Sequence, residues 1–206
     1  MPPDNTPEFM DIDVIGTSDE EFYRFMREYT GLPREEPIDS AVFQPDYTTT
    51  LRRKYQEAVQ DCNEALRKDS TFAEAALLRA RANYFLGRYG ESLKEIDHVI
   101  NIRPRQDAFA RAYCDRAWVR LTCPDQSYRN SQQALKDATA ACKLVGWKDE
   151  DMIDTLAAAY AEVGDFDSAV RYEEKALAIK GVKISDSQRL QAHLDSFKQR
   201  RPLHGR

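Results

Sequence analysis

Residues 151–180 carry the clearest hydrophobic pattern in the chain, two apolar stretches at helical spacing separated by a glycine. Apolar residues three or four positions apart lie on one helix face, so the pattern predicts two short helices packed as a hairpin. Gly164 tolerates positive φ, which suits the end of the first helix, and Asp165 follows at an N-cap position. The apolar residues are Ile153, Leu156, Ala157 and Tyr160 before the glycine, and Phe166, Ala169, Val170, Ala176 and Leu177 after it.

The same pattern recurs upstream. A small residue in each second helix and an apolar pair after it repeat with the same separations of 34, 42 and 35 residues. Because one helical hairpin cannot bury both of its faces, this recurrence predicts an array of stacked hairpins. The matching positions are Ala58, Ser92, Ala134 and Ala169, with apolar pairs at 65–66, 99–100, 141–142 and 176–177.

The predicted fold is therefore all-α, a short α-solenoid closed by a C-terminal capping helix. Ser185 is the predicted N-cap of that last helix, and its apolar face with His193 is expected to pack on the array. An insertion is predicted between the two helices of the third unit, after Thr122. The predicted segments are an incomplete unit over 47–70, units over 71–104, 107–146 and 150–180, the capping helix over 185–200 and a tail over 201–206.

Residues 1–46 form an acidic leader that differs from the rest of the chain. They hold 12 acidic and 3 basic residues, a net charge of −9, whereas residues 47–206 have a net charge of +4. A short helix is predicted over residues 18–30, because Ser18 can cap it and an apolar stripe follows; a proline-rich linker comes next. Three roles for this helix remain open: capping the solenoid, occupying its groove, or binding a partner.

The last hairpin resembles the tetratricopeptide repeat (TPR), a helix–turn–helix unit of about 34 residues. A second set of residues resembles a bacterial subfamily of this repeat, many of whose members occur as C-terminal modules of larger proteins. These residues are Ala117, Trp118, 122–125, Tyr128, Arg129, 146–149 and 155–160, and the resemblance covers residues 112–202. The resemblance implies a right-handed solenoid with a concave groove lined by the first helix of each unit. It also implies binding of a protein or peptide rather than catalysis. The signature residues are Leu156, Ala157, Tyr160, Gly164, Phe166, Ala169, Ala176 and Leu177.

The groove is where a partner is expected to bind. Arginine pairs with carboxylates and aromatic side chains stack, so both are good anchors for a peptide. Each candidate also has a plain structural alternative as a solvated residue or core filler, and for Trp118 core packing is at least as favoured. The candidates on the first helices of the second and third units are Leu77, Arg81, Tyr84, Arg111, Asp115 and Trp118.

No catalytic, cofactor-binding or metal-binding residues are predicted. The three histidines are far apart in sequence, and no glycine-rich loop could hold phosphate. The cysteines lack zinc-finger spacing, and Cys62 and Cys142 occupy predicted core positions. The carboxylates of Asp149, Glu150, Asp151 and Asp154 begin a predicted helix, where charge-favoured capping is a more economical explanation than general acid–base catalysis.

Two functions follow from these patterns. The first is a non-enzymatic, cytoplasmic adaptor that binds a protein or peptide segment in its groove, with the acidic leader as a possible regulator. The alternative is a stabilising or regulatory subunit of an enzyme complex, binding through the leader helix or the convex face. Interspersed acidic and basic residues argue against nucleic acid, and no apolar run of membrane length occurs. A monomer or weak homo-oligomer is expected.

Overall fold

The computed structural model describes residues 45–203, and this part of the chain is all-helical. It contains eight α-helices and one short 3₁₀ helix, Gln126–Tyr128. The predicted leader helix over residues 18–30, and the roles assigned to the leader, lie outside the described residues. The α-helices are α1 (Pro45–Lys68), α2 (Ala73–Phe85), α3 (Tyr89–Ile102), α4 (Gln106–Thr122), α5 (Ser131–Leu144), α6 (Glu150–Glu162), α7 (Phe166–Leu177) and α8 (Ile184–Lys198).

Neighbouring helices pack against each other in chain order, from α1 through α8. A second set of contacts joins alternate helices: α2 packs on α4, α4 on α6, and α6 on α8. We refer to α2, α4, α6 and α8 as the even-numbered layer. Of the helices described here, none combines the length and the apolar character that crossing a bilayer requires.

Local sequence signals set the helix ends. Gly164 has φ of +86° after α6, and the side chain of Asp165 accepts a hydrogen bond from the backbone N–H of Ser168 at the start of α7. Asn130 caps α5 and Asp149 caps α6 in the same way. The Ser185 N-cap prediction is wrong, because α8 begins at Ile184 with Lys183 in the N-cap position. Helix α1 begins at Pro45, a residue type that fits the first turn of a helix because its missing N–H has no partner there.

Alanine and other small residues occupy the helix interfaces. The second-helix alanines Ala134 and Ala169, and Ser92 at the same position of α3, have no exposed surface. Small side chains let helix backbones approach closely. Cys62 and Cys142 are buried as predicted, at 3% and 0% exposure, and pack as small apolar residues.

Two arginines each join three consecutive helices. Arg79 of α2 donates to Glu95 of α3 and to Asn63 of α1. Arg116 of α4 donates in the same way to Asp137 of α5 and to Asp97 of α3, at 2.6–2.8 Å. Burial opposes the charge on Arg116, but its two carboxylate partners outweigh that effect and raise its pKa. The arrangement of α1–α3 is thus repeated in α3–α5.

Replacing Gly164 tests the turn between α6 and α7. A Cβ at this position would meet no atom within 4 Å, so the cost of Gly164→Ala comes from the backbone alone. We expect the free energy of unfolding to fall by about 1–2 kcal/mol, measured by urea denaturation. Gly164→Asn should be milder, because asparagine tolerates positive φ better than alanine. Equal stability of Gly164→Ala and the wild type would contradict this account.

Candidate functional site

A cavity of about 180 Å³ lies along the even-numbered layer. Helices α2, α4, α6 and α8 all contribute lining side chains, and α3 adds Ser92 and Ile96 from behind. A smaller cavity of about 100 Å³ lies between α2 and α4. Arg81 and Arg111 line both cavities, and we name the two neighbouring cavities together the groove.

The structure brings together the six residues predicted from sequence. Leu77 lines the smaller cavity but is only 3% exposed and belongs mainly to the core. Tyr84 is also buried, and its hydroxyl lies 2.9 Å from Oγ1 of Thr122; burial raises its pKa. The residues that line the larger cavity are Arg81, Tyr84, Arg111, Asp115 and Trp118.

The two groove arginines differ in their partners. Arg81 of α2 donates two hydrogen bonds to the carboxylate of Asp115 in α4, at 3.0 and 2.6 Å. This bidentate pair links two helices, so Arg81 is already engaged. Arg111 has no ion-pair partner among residues 45–203. Its half-buried guanidinium therefore remains available to an anionic group entering the groove.

A cysteine links the next two helices of the layer. The thiol of Cys114 in α4 lies 3.4 Å from Oγ1 of Thr155 in α6, beside the larger cavity. Burial raises the pKa of Cys114 well above its ordinary value, so the thiol stays protonated near neutral pH. Burial likewise raises the pKa of Cys62 to about 11 and that of Cys142 to about 12. These groups lack the thiolate character that a nucleophile needs.

At the far end of the groove, α6 and α8 meet through a buried charge cluster. Arg189 of α8 donates to the carboxylates of Asp154 and Asp151 in α6. His193, one helical turn further along α8, places Nδ1 2.8 Å from Oδ1 of Asp154. Burial opposes the charge on Asp154, but His193 and Arg189 outweigh it and lower its pKa. Asp154 is therefore an anion held between two helices.

Helix α7 adds a third carboxyl group, Glu173, to this cluster. Its side chain has no exposed surface, and no hydrogen-bond donor among the described residues reaches either carboxyl oxygen. Burial raises the pKa of Glu173, and the nearby negative charge of Asp154 raises it further. The pKa of Glu173 in the folded protein therefore lies well above the ordinary glutamate value.

The prediction for the carboxylates at the start of α6 was right for Asp149 and wrong for Asp154. Asp149 accepts a hydrogen bond from the backbone N–H of Met152, as a capping residue does. Asp154 is 2% exposed, lies past the first turn and pairs with α8 instead. One signal could have revealed the cluster: Glu173 lies four residues after Ala169 and three before Ala176, in the middle of an apolar stripe.

No protein-family model matches the chain, and no curated protein sequence shows significant similarity to it.

Glu173 gives the folded protein a pH dependence. Its pKa is raised on folding, so above the ordinary glutamate pKa of 4.5 the folded state holds a proton that the unfolded chain releases. The free energy of unfolding should therefore fall as pH rises above the ordinary glutamate pKa, by up to about 1.4 kcal/mol per pH unit until the pH reaches the folded-state pKa. Asp154 acts in the opposite sense, and its contribution is lost only as pH falls below the ordinary aspartate pKa of 3.8. Urea unfolding at several pH values between 5 and 8 measures the slope of the unfolding free energy against pH. EDTA in the buffer keeps metal ions from binding the carboxylates.

Two glutamine variants of α7 locate the group responsible. Glu173→Gln cannot titrate, and its amide can donate to Asp154, so it should remove most of the slope. Glu174→Gln changes the adjacent residue, whose side chain is 57% exposed, and should keep the wild-type slope. An unchanged slope in Glu173→Gln would assign the pH dependence to another group.

Proposed function

We propose that the chain is a TPR-like solenoid adaptor, without catalytic activity, that binds a segment of a partner protein in the groove. The observation that carries the proposal is the groove itself, lined by side chains from successive members of the even-numbered layer. The alternate-helix contacts from α2 through α8 support the solenoid, because stacked hairpins bring their first helices side by side. The TPR resemblance of residues 151–180 points the same way.

The size of the groove favours a protein segment over a small molecule. Pockets for drug-sized ligands and cofactors span about 300–1,000 Å³, whereas the larger cavity measures about 180 Å³. A volume of this size accepts one or two side chains. The second cavity, about 100 Å³ in volume, shares Arg81 and Arg111 with the first, so neighbouring side chains of one segment could occupy both.

Charge and aromatic character suggest what the segment carries. Arg111, without an ion-pair partner in the described part of the chain, would bind a carboxylate of the partner. Trp118, one of the residues lining the larger cavity on the same helix, offers an apolar surface. We infer that the bound segment presents an acidic side chain beside an apolar one.

The setting of the protein is part of the proposal. Four cysteines without a disulfide are typical of a reducing compartment, which supports a cytoplasmic location. The raised pKa values of the Cys114 and Cys142 thiols argue against nucleophilic catalysis by these two residues. A monomer or weak homo-oligomer remains our expectation.

Charge reversal at Arg111 tests the groove. Arg111→Glu should abolish or weaken capture of the partner by at least about tenfold, because it places a carboxylate where the proposal needs a cation. Arg120→Glu is the matched control: it makes the same change on α4, nine residues away and therefore on the opposite helix face, and Arg120 lines neither cavity. Partners captured from cell lysate by the full chain are identified by mass spectrometry and their affinities compared.

The outcomes separate the two candidate functions. Loss with Arg111→Glu, retention with Arg120→Glu and unchanged helical circular dichroism would support the groove adaptor. Equal capture by both variants and the wild type would overturn groove binding and favour a subunit that binds through its leader or convex face. We avoid Arg81→Glu as a probe, because it would oppose Asp115 and disturb the fold.

A further inference from the structure

Three helices bring potential metal ligands together inside the protein. Asp154 of α6, Glu173 of α7 and His193 of α8 each offer one ligand atom, and these atoms all lie within 4.8 Å of one another. The three side chains are buried, at 2%, 0% and 7% exposure. They are separated by 19 and 20 residues in sequence, so no local motif announces them.

Glu173 supplies an independent observation at the same place. Both of its carboxyl oxygens are buried, and within the described residues no donor satisfies them. Leaving a buried polar group without such a partner is unfavourable, and proteins normally supply one. The carboxyl group therefore lies inside a polar cluster with unused capacity to bind a cation.

We propose that Asp154, Glu173 and His193 bind one divalent transition-metal ion, for which Zn²⁺ is the best match. Around a tetrahedral zinc ion with bonds of about 2.1 Å, ligand atoms lie about 3.4 Å apart. The existing arrangement needs only small side-chain movements to reach this geometry. Nδ1 of His193 and Oδ1 of Asp154, now 2.8 Å apart, would separate slightly to admit the ion.

The donor set decides the class of ion. One imidazole nitrogen with two carboxylate oxygens is typical of zinc and related transition metals. Calcium prefers six to eight oxygen ligands, and magnesium prefers an octahedron of oxygen atoms, whereas this cluster offers two carboxylates and one imidazole nitrogen. Mg²⁺ and Ca²⁺ should therefore bind far more weakly than Zn²⁺.

The charges around the site also match a dication. Asp151, Asp154 and ionised Glu173 carry three negative charges, and Arg189 carries one positive charge. A dication with neutral His193 balances this sum. Arg189 would keep its hydrogen bonds to Asp151 and Asp154 and so orient one ligand, as outer partners of metal ligands commonly do.

An ion at this position has a route in and a structural effect. Asp154 and Arg189 line the cavity of about 180 Å³, which joins the cluster to the groove. Because the ligands come from α6, α7 and α8, the ion would hold the last three helices together. The site does not depend on a partner in the groove, so it can be tested separately from the proposed function.

Calorimetric titration of the full chain with ZnSO₄ tests the site, using protein without a polyhistidine tag and with reduced thiols. We expect one Zn²⁺ per chain and a higher thermal unfolding midpoint with Zn²⁺ than with EDTA. Glu173→Gln and His193→Gln should each weaken binding by more than about tenfold, because each removes a direct ligand. Glu174→Gln, on the neighbouring exposed position, should bind as the wild type does.

The variants also exclude binding elsewhere on the chain. Cysteines and the other histidines could hold Zn²⁺, but such binding would survive in Glu173→Gln. Equal affinity of wild type, Glu173→Gln and His193→Gln would overturn the proposal, as would the absence of Zn²⁺ binding by the wild type. Circular dichroism checks that Glu173→Gln remains folded, which is expected since the amide can donate to Asp154. Titrations with MgCl₂ and CaCl₂ test the selectivity.

Discussion

The fold depends on how closely its helices approach one another. Alanine at the contact positions lets backbones come near, but burying one methyl group removes little apolar surface from water. Because these alanine-rich interfaces bury little apolar surface, polar contacts between the helices add to their stability. The alanines without exposed surface are Ala80, Ala82, Ala110, Ala112, Ala117, Ala134, Ala138, Ala141, Ala157, Ala159, Ala169 and Ala176.

Three of these polar contacts join successive helices of the even-numbered layer, and all three border the groove. Asp115 receives Arg81 between α2 and α4, the Cys114 thiol lies against a threonine between α4 and α6, and Arg189 reaches Asp154 between α6 and α8. Residues that line the groove therefore also make the contacts between the helices of this layer. Most of its charged groups serve the fold, which is why Arg111, lacking an ion-pair partner among the described residues, carries the binding proposal.

The sequence predicted the helical character of the described chain and several helix ends, because these depend on local signals. Gly164 and Asp165 act within one turn, and apolar spacing of three and four residues needs no knowledge of distant neighbours. The Ser185 prediction failed because it used the same kind of local signal. Serine is a good N-cap residue, but α8 begins at Ile184, one residue before this serine. The groove residues predicted from the sequence do lie together, but the ligand that they bind is a proposal.

Charge pairing between distant helices could not be derived in this way. The pairing of Arg81 with Asp115 depends on the stacking of α2 on α4, and the same applies to Asp154 with α8. Whether an arginine is engaged or available follows from side-chain geometry, which periodicity does not contain. Glu173 places a carboxyl group within an apolar stripe, and this irregularity was a sequence signal for the cluster. The wide spacing of the histidines gave no such signal.

The order in which the helices pack also bears on how the chain folds. Every strong contact in the described part of the chain joins a helix to the next one or to the next but one, so contacts do not reach across the length of the array. Low contact order is associated with rapid folding, since little loop-closure entropy is lost before contacts form. Any adjacent helix pair could act as the nucleus, and growth could proceed from it in either direction. Contacts that span three helices, such as those of Arg116, would then form late and slow unfolding more than they speed folding.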